Sequence, residues 1–555
     1  MITDENISGK VLDHLGLIAV TLEKIGLVKK IDQRLPLEKP KTTMGQRVAA
    51  MIFNGLGFVD DRLYMFPEFL HNKPVDRLFE GAVEAENFND DALGRCLDAI
   101  YAYGTTKLFS EVAFEIGIEQ GFLGRTFNID TTSLTVYGDY EEEEETPQKT
   151  PAQHPLDASS GAVPRHGYSK DHRPDLKQMV LNLATTGAAG FPIWMEAHSG
   201  NASDKKILHE AAERMRSFCK GLKDAPAFIT VGDSAIYDAC IKQAGDMLWL
   251  TRVSEQHKVA KELVQHPDES YAWGELNDDG YKICVTENQY RGVHQRWTIV
   301  FSEQAYQREI KTFNKQLENC QVTIEKDLWH LGNRVFQCEK DAQASVKILT
   351  KSLKFHKVCA TIESVLQHQG KGRPGKDVKP SIVSYKIKGI LVEDDQKIAL
   401  IKNTKGRFIL ATNQLDRRAL PDTDILVEYK GQSKTESGFK FLKDGAFSVS
   451  SIFLKKPERI VALMMVMTLC LMVYAIAQYE LRAALAAAQD TIPNQLKKET
   501  AKPSMKWVYR LFYGIQVITL CLSDVTQEIV INLKAVQKKI IRYFGPHAME
   551  IYGLT

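Results

Sequence analysis

Three acidic residues stand in sequence contexts that suit a metal-ion site. Asp130 lies within FNIDTTSLTVYG, a stretch rich in β-branched and aromatic residues. An acidic side chain is disfavoured in such a stretch unless it has a functional role. Asp233 follows the short apolar run AFITV, so it stands where a buried strand is predicted to end. With Glu436 they form a set of three carboxylates. Such a set can hold two Mg²⁺ ions roughly 4 Å apart, an arrangement that supports phosphodiester cleavage.

The surroundings of Glu436 have the spacing of one helix face. Tyr429, Gln432, Glu436 and Lys443 follow one another at intervals of 3, 4 and 7 residues. A carboxylate with a polar group one turn earlier and a lysine two turns later suits a metal ligand beside a phosphate-binding surface. A solvated amphipathic helix would give the same pattern, and the alternative for each aspartate is a turn or a helix cap.

Helices are predicted towards both ends of the chain. Residues 1–115 carry apolar side chains at helical spacing, and Thr43 with Gln46 has the spacing of a capping box. This region is either a DNA-reading domain or a helical scaffold or dimerisation element. The helical pattern resumes near Thr423 and persists to about Tyr543.

The middle of the chain alternates strands and helices. From about residue 125 to residue 253 the order is strand, strand, strand, helix, strand, helix, strand, which predicts a mixed sheet with helices on both faces. An acidic, proline-containing stretch at 141–164 interrupts it and is predicted to be a mobile loop. Residues 255–415 break the rhythm and indicate a large insertion, with a basic loop at 370–376.

Composition limits the function classes without choosing one. The net charge is +1, so charge gives no independent argument for DNA binding. Nine scattered cysteines without a CxxC pair argue against structural zinc and a disulfide framework.

The polar N-terminus does not look like a signal peptide. Residues 460–477, IVALMMVMTLCLMVYAIA, are either a membrane span or a helix buried in a large core.

These segments resemble the DDE transposases of bacterial insertion sequences. The nearest group is the sixteen-thirty-four subgroup of the insertion-sequence-four superfamily. That superfamily has Tyr, two residues, Arg, three residues, Glu, six residues and Lys around its catalytic glutamate. Tyr429, Gln432, Glu436 and Lys443 reproduce this spacing, with Gln432 in place of the usual Arg. The stretches HGYSKDHRPDLKQ, HSGNASD, VGDSAIYD and FLKKPERIVALMMVMTLCLMVYA add to a resemblance that covers about residues 1–480.

The resemblance implies a fold and a domain plan. The expected class is α/β: a ribonuclease-H-like mixed-sheet catalytic core with a large β-strand-rich insertion, a helical N-terminal domain and a helical C-terminal region. The expected parts are the N-terminal domain at 1–115, the first part of the core at 120–254, the insertion at 255–415, the second part of the core at 416–485 and the C-terminal region at 486–555.

The resemblance also implies a reaction. Asp130, Asp233 and Glu436 would be the catalytic residues and the ligands of two Mg²⁺ or Mn²⁺ ions. Water would cut each transposon end, and the freed 3′-hydroxyl would attack target DNA. The expected partners are double-stranded DNA, as terminal inverted repeats and target, and a second copy in a homodimer, in the bacterial cytoplasm at the nucleoid. The alternatives are a degenerate repeat-binding protein, a related nuclease without strand transfer, and a membrane-anchored protein.

Further DNA contacts are candidates on weaker grounds. Phosphate contacts are expected from Tyr429, Gln432, Lys443, Lys170 and Arg173. Solvated surface is the alternative for the basic residues Lys170 and Arg173, and also for Lys371, Arg373, Lys376, Lys497, Lys498, Lys502 and Lys506. A flipped base could stack on an aromatic side chain of the insertion, Trp273, Trp297 or Trp329, for which core packing is the alternative. His198 and Asn201 are expected to build a turn.

Overall fold

The computed structural model describes residues 7–58, 62–138, 140, 158–170, 172–222, 227–234, 236–242, 247–367, 381–445, 454–522 and 525–554. The chain divides into two compact units. Unit one comprises residues 1–251 and 427–555, and unit two comprises residues 252–426. Most of the acidic stretch at 141–164 and the basic residues Lys371, Arg373 and Lys376 lie outside the described residues.

Unit one begins with a short strand and seven α-helices. Thr43 accepts a hydrogen bond from the Gln46 amide, and the Gln46 side chain accepts one from the Thr43 amide, so the predicted capping box is confirmed. The elements are β1 (Ile7–Val11), α1 (Leu15–Lys24), α2 (Leu27–Arg34), α3 (Met44–Leu56), α4 (Phe66–His71), α5 (Val75–Leu78), α6 (Asp90–Tyr103) and α7 (Thr105–Glu119).

A mixed sheet follows in the predicted element order. Its elements are β2 (Thr126–Thr135), β3 (Gln178–Thr186), β4 (Phe191–Ser199), α8 (Asp204–Lys220), β5 (Ile229–Gly232), α9 (Tyr237–Lys242) and β6 (Trp249–Arg252). The strands lie in the order β4-β3-β2-β5-β6. β2, β3 and β4 are antiparallel neighbours, whereas β2, β5 and β6 run parallel. Strand β2 is therefore the centre of the unit-one sheet.

Unit two combines strands with long helices. Its elements are α10 (Lys258–Gln265), β7 (Tyr281–Tyr290), β8 (Val293–Ser302), α11 (Glu303–Asn333), α12 (Glu339–Ser352), β9 (His356–Gln367), β10 (Ser381–Glu393), α13 (Asp395–Thr404) and β11 (Arg407–Thr412). β11, β8 and β7 are antiparallel neighbours, and β9 pairs with β10 as a two-stranded ribbon. Since α11 alone has 31 residues, the description "strand-rich" covers only part of this region.

The rest of the chain is mostly helical. Its elements are α14 (Asp422–Lys430), α15 (Gln432–Leu442), α16 (Pro457–Ala487), β12 (Ile492–Pro493), β13 (Glu499–Thr500), α17 (Met505–Leu511), β14 (Gln516–Leu522), β15 (Val525–Ile531), α18 (Ala535–Phe544) and α19 (Pro546–Ile551). The C-terminal region, predicted to be helical, contains strands as well as helices. β14 pairs antiparallel with both β1 and β15, and the β-branched runs in QVITLCL and VTQEIVI favour strands.

Helix α16 is the core helix of unit one. The most apolar 18-residue window of the helix is long and apolar enough to cross a membrane, but 89% of it is buried inside the protein. The helix contacts α3, α6, α7 and β4, among other elements. A helix that is apolar on all sides is expected where other elements surround it, so burial accounts for the composition of this segment.

Candidate functional site

Asp130 and Asp233 each follow the paired parts of β2 and β5. The parallel pairing of these strands places Asn128 opposite Val231. Asp130 comes two residues after Asn128, and Asp233 comes two residues after Val231. Because β5 ends at Gly232, it does not pair with β2 at Asp130. The carboxyl end of a parallel strand is where ligands collect in open sheets.

The local backbone fixes both aspartates. The Asp130 carboxylate accepts a hydrogen bond from the Thr131 amide at 2.7 Å and is only partly exposed. Asp233 is exposed, and its carbonyl accepts a hydrogen bond from the Thr251 hydroxyl at 2.6 Å. The second bond ties the turn after β5 to β6, so the position of Asp233 is set by two strands.

Helix α15 covers the sheet face from which Asp130 projects. The Thr435 hydroxyl lies 2.7 Å from the Thr185 hydroxyl, and Thr185 is the strand partner of Asn128. A Cβ at Gly438 would lie 3.5 Å from Leu183, the strand partner of Asp130. Directly opposite residues of an antiparallel pair share a face, so α15 advances along β2 from the level of Asn128 to that of Asp130.

Glu436 lies on this stretch of α15, one residue after buried Thr435, and is itself exposed. The backbone therefore brings the helix of Glu436 and the strand of Asp130 together.

The prediction of one continuous helix around Glu436 is wrong. Tyr429 lies in α14, Gln432 is the first residue of α15, and Lys443 is the residue that caps its C-terminus. Gly431 separates the two helices. A Cβ there would lie 2.8 Å from the Glu428 carbonyl and 3.0 Å from the Asn128 amide nitrogen, so the helix junction needs glycine where it approaches β2.

Glu428 is a site residue that the sequence analysis missed. Its carboxylate accepts hydrogen bonds from Arg125 Nε at 2.7 Å and from the Thr126 hydroxyl at 2.5 Å. These bonds fasten α14 to the first residues of β2. The partners are about 300 positions apart in the sequence, and no local pattern connects them.

The carboxylates have the ligand chemistry for Mg²⁺ or Mn²⁺. Carboxylate oxygens are the ligands that these hard ions take. Among the described residues, no group of three or more His, Cys, Asp or Glu side chains is arranged to hold a metal ion.

The predicted phosphate contacts differ in their surroundings. Lys170 Nζ donates to the Thr131 carbonyl at 2.7 Å, which places its charge one residue from Asp130. Arg173 instead forms an exposed ion pair with Asp175 at 2.7 Å. Lys506 pairs with Asp444 at 2.5 Å, whereas Lys497, Lys498 and Lys502 are exposed.

The three candidate tryptophans occupy three different environments in unit two. Trp297 is fully buried on β8 and donates to Gln295 Oε1 at 2.8 Å, so its assignment as a base-stacking residue is wrong. Trp273 is half-buried and lies 4.7 Å beneath the Lys282 ammonium. Trp329 is 66% exposed on α11, so core packing does not describe it.

A buried ionic network at β4 was also missed. Glu196 is fully buried, and its carboxylate accepts hydrogen bonds from Arg214 Nε at 2.8 Å and from Trp194 Nε1 at 3.0 Å. His198 Nε2 lies 3.0 Å from its other oxygen. Burial raises the pKa of Glu196, but the hydrogen bonds from His198 and Arg214 outweigh it and lower that pKa to about 2. His198 thus serves this network rather than a turn alone.

Comparisons with known proteins give two matches. A family described as a domain of unknown function (DUF4277) matches residues 7–114. The chain is also similar to the cryo-EM structure of a piggyBac transposase synaptic complex with hairpin DNA, at 10% identity and a TM-score of 0.34, over 91% of this chain and 80% of that chain. No curated protein gave a match. The family match covers β1 and the N-terminal helices of unit one.

Proposed function

We propose that this protein is a DNA transposase that cuts phosphodiester bonds at transposon ends and joins the freed 3′-hydroxyl to target DNA. The observation that carries the proposal is the parallel pairing of β2 and β5 up to Asn128 and Val231, which come two residues before Asp130 and Asp233. Helix α15 adds Glu436 on the face of Asp130. The five unit-one strands of the mixed sheet, with α15 packed on β2, support a ribonuclease-H-like core.

Each residue of the site has a proposed role. Asp130, Asp233 and Glu436 would hold two Mg²⁺ or Mn²⁺ ions, which supply positive charge for the attacking and leaving oxygens. Lys170, beside Asp130, would contact a phosphate, as would Tyr429, Gln432 and Lys443 around Glu436. Such contacts position DNA without reading its sequence. Two copies acting on two DNA ends would give a symmetric homodimer.

A degenerate DNA-binding protein is the second candidate. The observation in its favour is that the described carboxylates do not form a three-ligand group. The two candidates differ in a single respect, because a degenerate copy would bind terminal repeats without cutting them.

Metal dependence separates these candidates. We expect Mg²⁺ or Mn²⁺ to support nicking of a labelled duplex that carries the element's ends, and Ca²⁺ to support binding but not nicking. The reason is that Ca²⁺ takes more ligands in a looser geometry than Mg²⁺. Gel separation of the nicked strand measures the rate. Equal rates in Ca²⁺ would contradict a geometry-dependent two-ion site, and binding without nicking in every metal would favour the degenerate protein.

A further inference from the structure

A cavity of about 370 Å³ with both polar and apolar lining lies beside β2 in unit one. Two motifs that stand far apart in the sequence, HGYSK and HSGNAS, meet around it. Its polar lining includes Ser133, Tyr168, Lys170, Gln178, Asn201 and Ser203. The volume is at the lower end of the range of about 300–1,000 Å³ that ligand pockets occupy. It has room for one nucleotide-sized group and not for a duplex.

The cavity wall is held by close backbone packing. A Cβ at Gly167 would lie 1.9 Å from the Gly200 carbonyl oxygen, so the two motifs touch only because glycine stands there. Gln178 is buried, and its Nε2 donates to the carbonyls of Tyr168 and Gly200 at 3.1 and 2.9 Å. The backbone that carries Tyr168 is therefore fixed before any ligand arrives.

Tyr168 and Lys170, two residues apart in the sequence, both line this wall. Tyr168 is 85% exposed, although its backbone carbonyl is held by Gln178. Lys170 is exposed, its amide donates to the Ser133 hydroxyl at 3.2 Å, and its ammonium lies 2.7 Å from the Thr131 carbonyl. An exposed aromatic ring next to a lysine is the combination that binds single-stranded nucleic acid, because the ring stacks on a base and the lysine meets a phosphate.

The cavity is also close to the carboxylates. Ser133 follows Asp130 by three residues of β2, a distance of roughly 10 Å along an extended strand. Thr131 and Ser133 project from the face of β2 opposite to Asp130. Strand β5 ends at Gly232 and its pairing with β2 ends at Asn128, so β5 does not flank β2 at Ser133.

We propose that this cavity binds one nucleotide of the DNA strand that leads to Asp130, with its base stacked on Tyr168 and its phosphate on Lys170. The proposal rests on the proposed function and adds a nucleotide subsite to it. The polar side chain of Asn201, on the cavity wall, would hydrogen bond the sugar or the base edge. A nucleotide in this position must be unpaired, because the cavity cannot hold a base pair.

Crosslinking and binding with Tyr168 variants test the subsite. The full-length protein is mixed with end duplexes that carry 5-iodouracil at single positions, in EDTA so that no cleavage occurs. We expect irradiation to link one position near the cleavage point to Tyr168. Tyr168→Ala should weaken binding roughly tenfold, and Tyr168→Phe, which keeps the stacking ring, should bind like the wild type. Tyr513→Ala is the matched control, since Tyr513 is also an exposed tyrosine (83%).

The outcomes separate this inference from the proposed function. Wild-type nicking in Mg²⁺ together with unchanged binding and no crosslink at Tyr168 would overturn the subsite and leave the function standing. A crosslink to Tyr168 in a protein that never nicks DNA would support the subsite and contradict the proposed nuclease activity. Equal losses for Tyr168→Ala and Tyr168→Phe would also overturn the subsite, because stacking would then not be the interaction lost.

Discussion

Replacing either aspartate of the sheet by its amide should stop DNA cleavage. For Asp130→Asn and Asp233→Asn we expect the nicking rate at a transposon end to fall at least about a thousandfold. The amide keeps the size of the side chain but removes the charge that would hold a metal ion. Binding of the uncut end should stay within about threefold of wild type, because neither carboxylate attracts a phosphate.

The control for this pair is an exposed carboxylate on the same unit. Glu213 on α8 has a 55% exposed side chain and contacts only His209 among the ion pairs of the described residues, at 3.5 Å. Glu213→Gln should nick DNA at the wild-type rate. Wild-type nicking by Asp130→Asn or Asp233→Asn would show that the substituted aspartate is not a catalytic residue.

Removing the buried carboxylate of Glu196 should produce the largest loss of stability. Glu196→Ala leaves the Arg214 guanidinium and the Trp194 indole without their partner inside the protein. Breaking a buried ion pair by deleting one member costs about 3–5 kcal/mol. The free energy of unfolding, followed by urea titration, should fall by this amount. Glu213→Ala should change it by less than about 0.5 kcal/mol, and an equal effect of the two variants would contradict the network's role.

The same network predicts how stability depends on pH. The pKa of Glu196 is lowered from 4.5 to about 2 in the folded protein. A lowered pKa means that this carboxylate stabilises the fold above about pH 4.5 and loses that contribution as the pH falls towards 2. The stability difference between the wild type and Glu196→Gln should therefore be full at pH 7 and shrink across this window. A difference that stayed constant from pH 7 to pH 2 would contradict the assigned ionisation.

Local sequence patterns predicted the element order of the core because each element has its own signal. Strands and helix caps depend on neighbouring residues. The sequence therefore correctly predicted the strand around Asp130, the strand before Asp233 and the helix cap at Thr43. The sequence alone allowed two interpretations of the apolar helix α16, a membrane span and a buried core helix. Only the surrounding elements, which bury it, account for its composition.

Long-range packing was beyond the reach of the sequence. Neither the bonds from Glu428 to Arg125 and Thr126 nor the Glu196–Arg214 pair has a local pattern, because each partner comes from a different element. Nothing in the residues around Trp297 distinguished a buried ring from an exposed one. The break at Gly431 was missed since helical spacing alone does not register a close approach to β2.

The most direct test of the three-carboxylate site is the effect of Glu436→Gln on nicking of a labelled end duplex in Mg²⁺. Glu436 lies on a different element from the two aspartates, so its requirement tests whether helix and sheet act as one site. We predict that the wild type nicks at the transposon boundary, whereas the Glu436→Gln variant binds the same duplex and leaves it uncut. Nicking by Glu436→Gln at the wild-type rate would contradict the account.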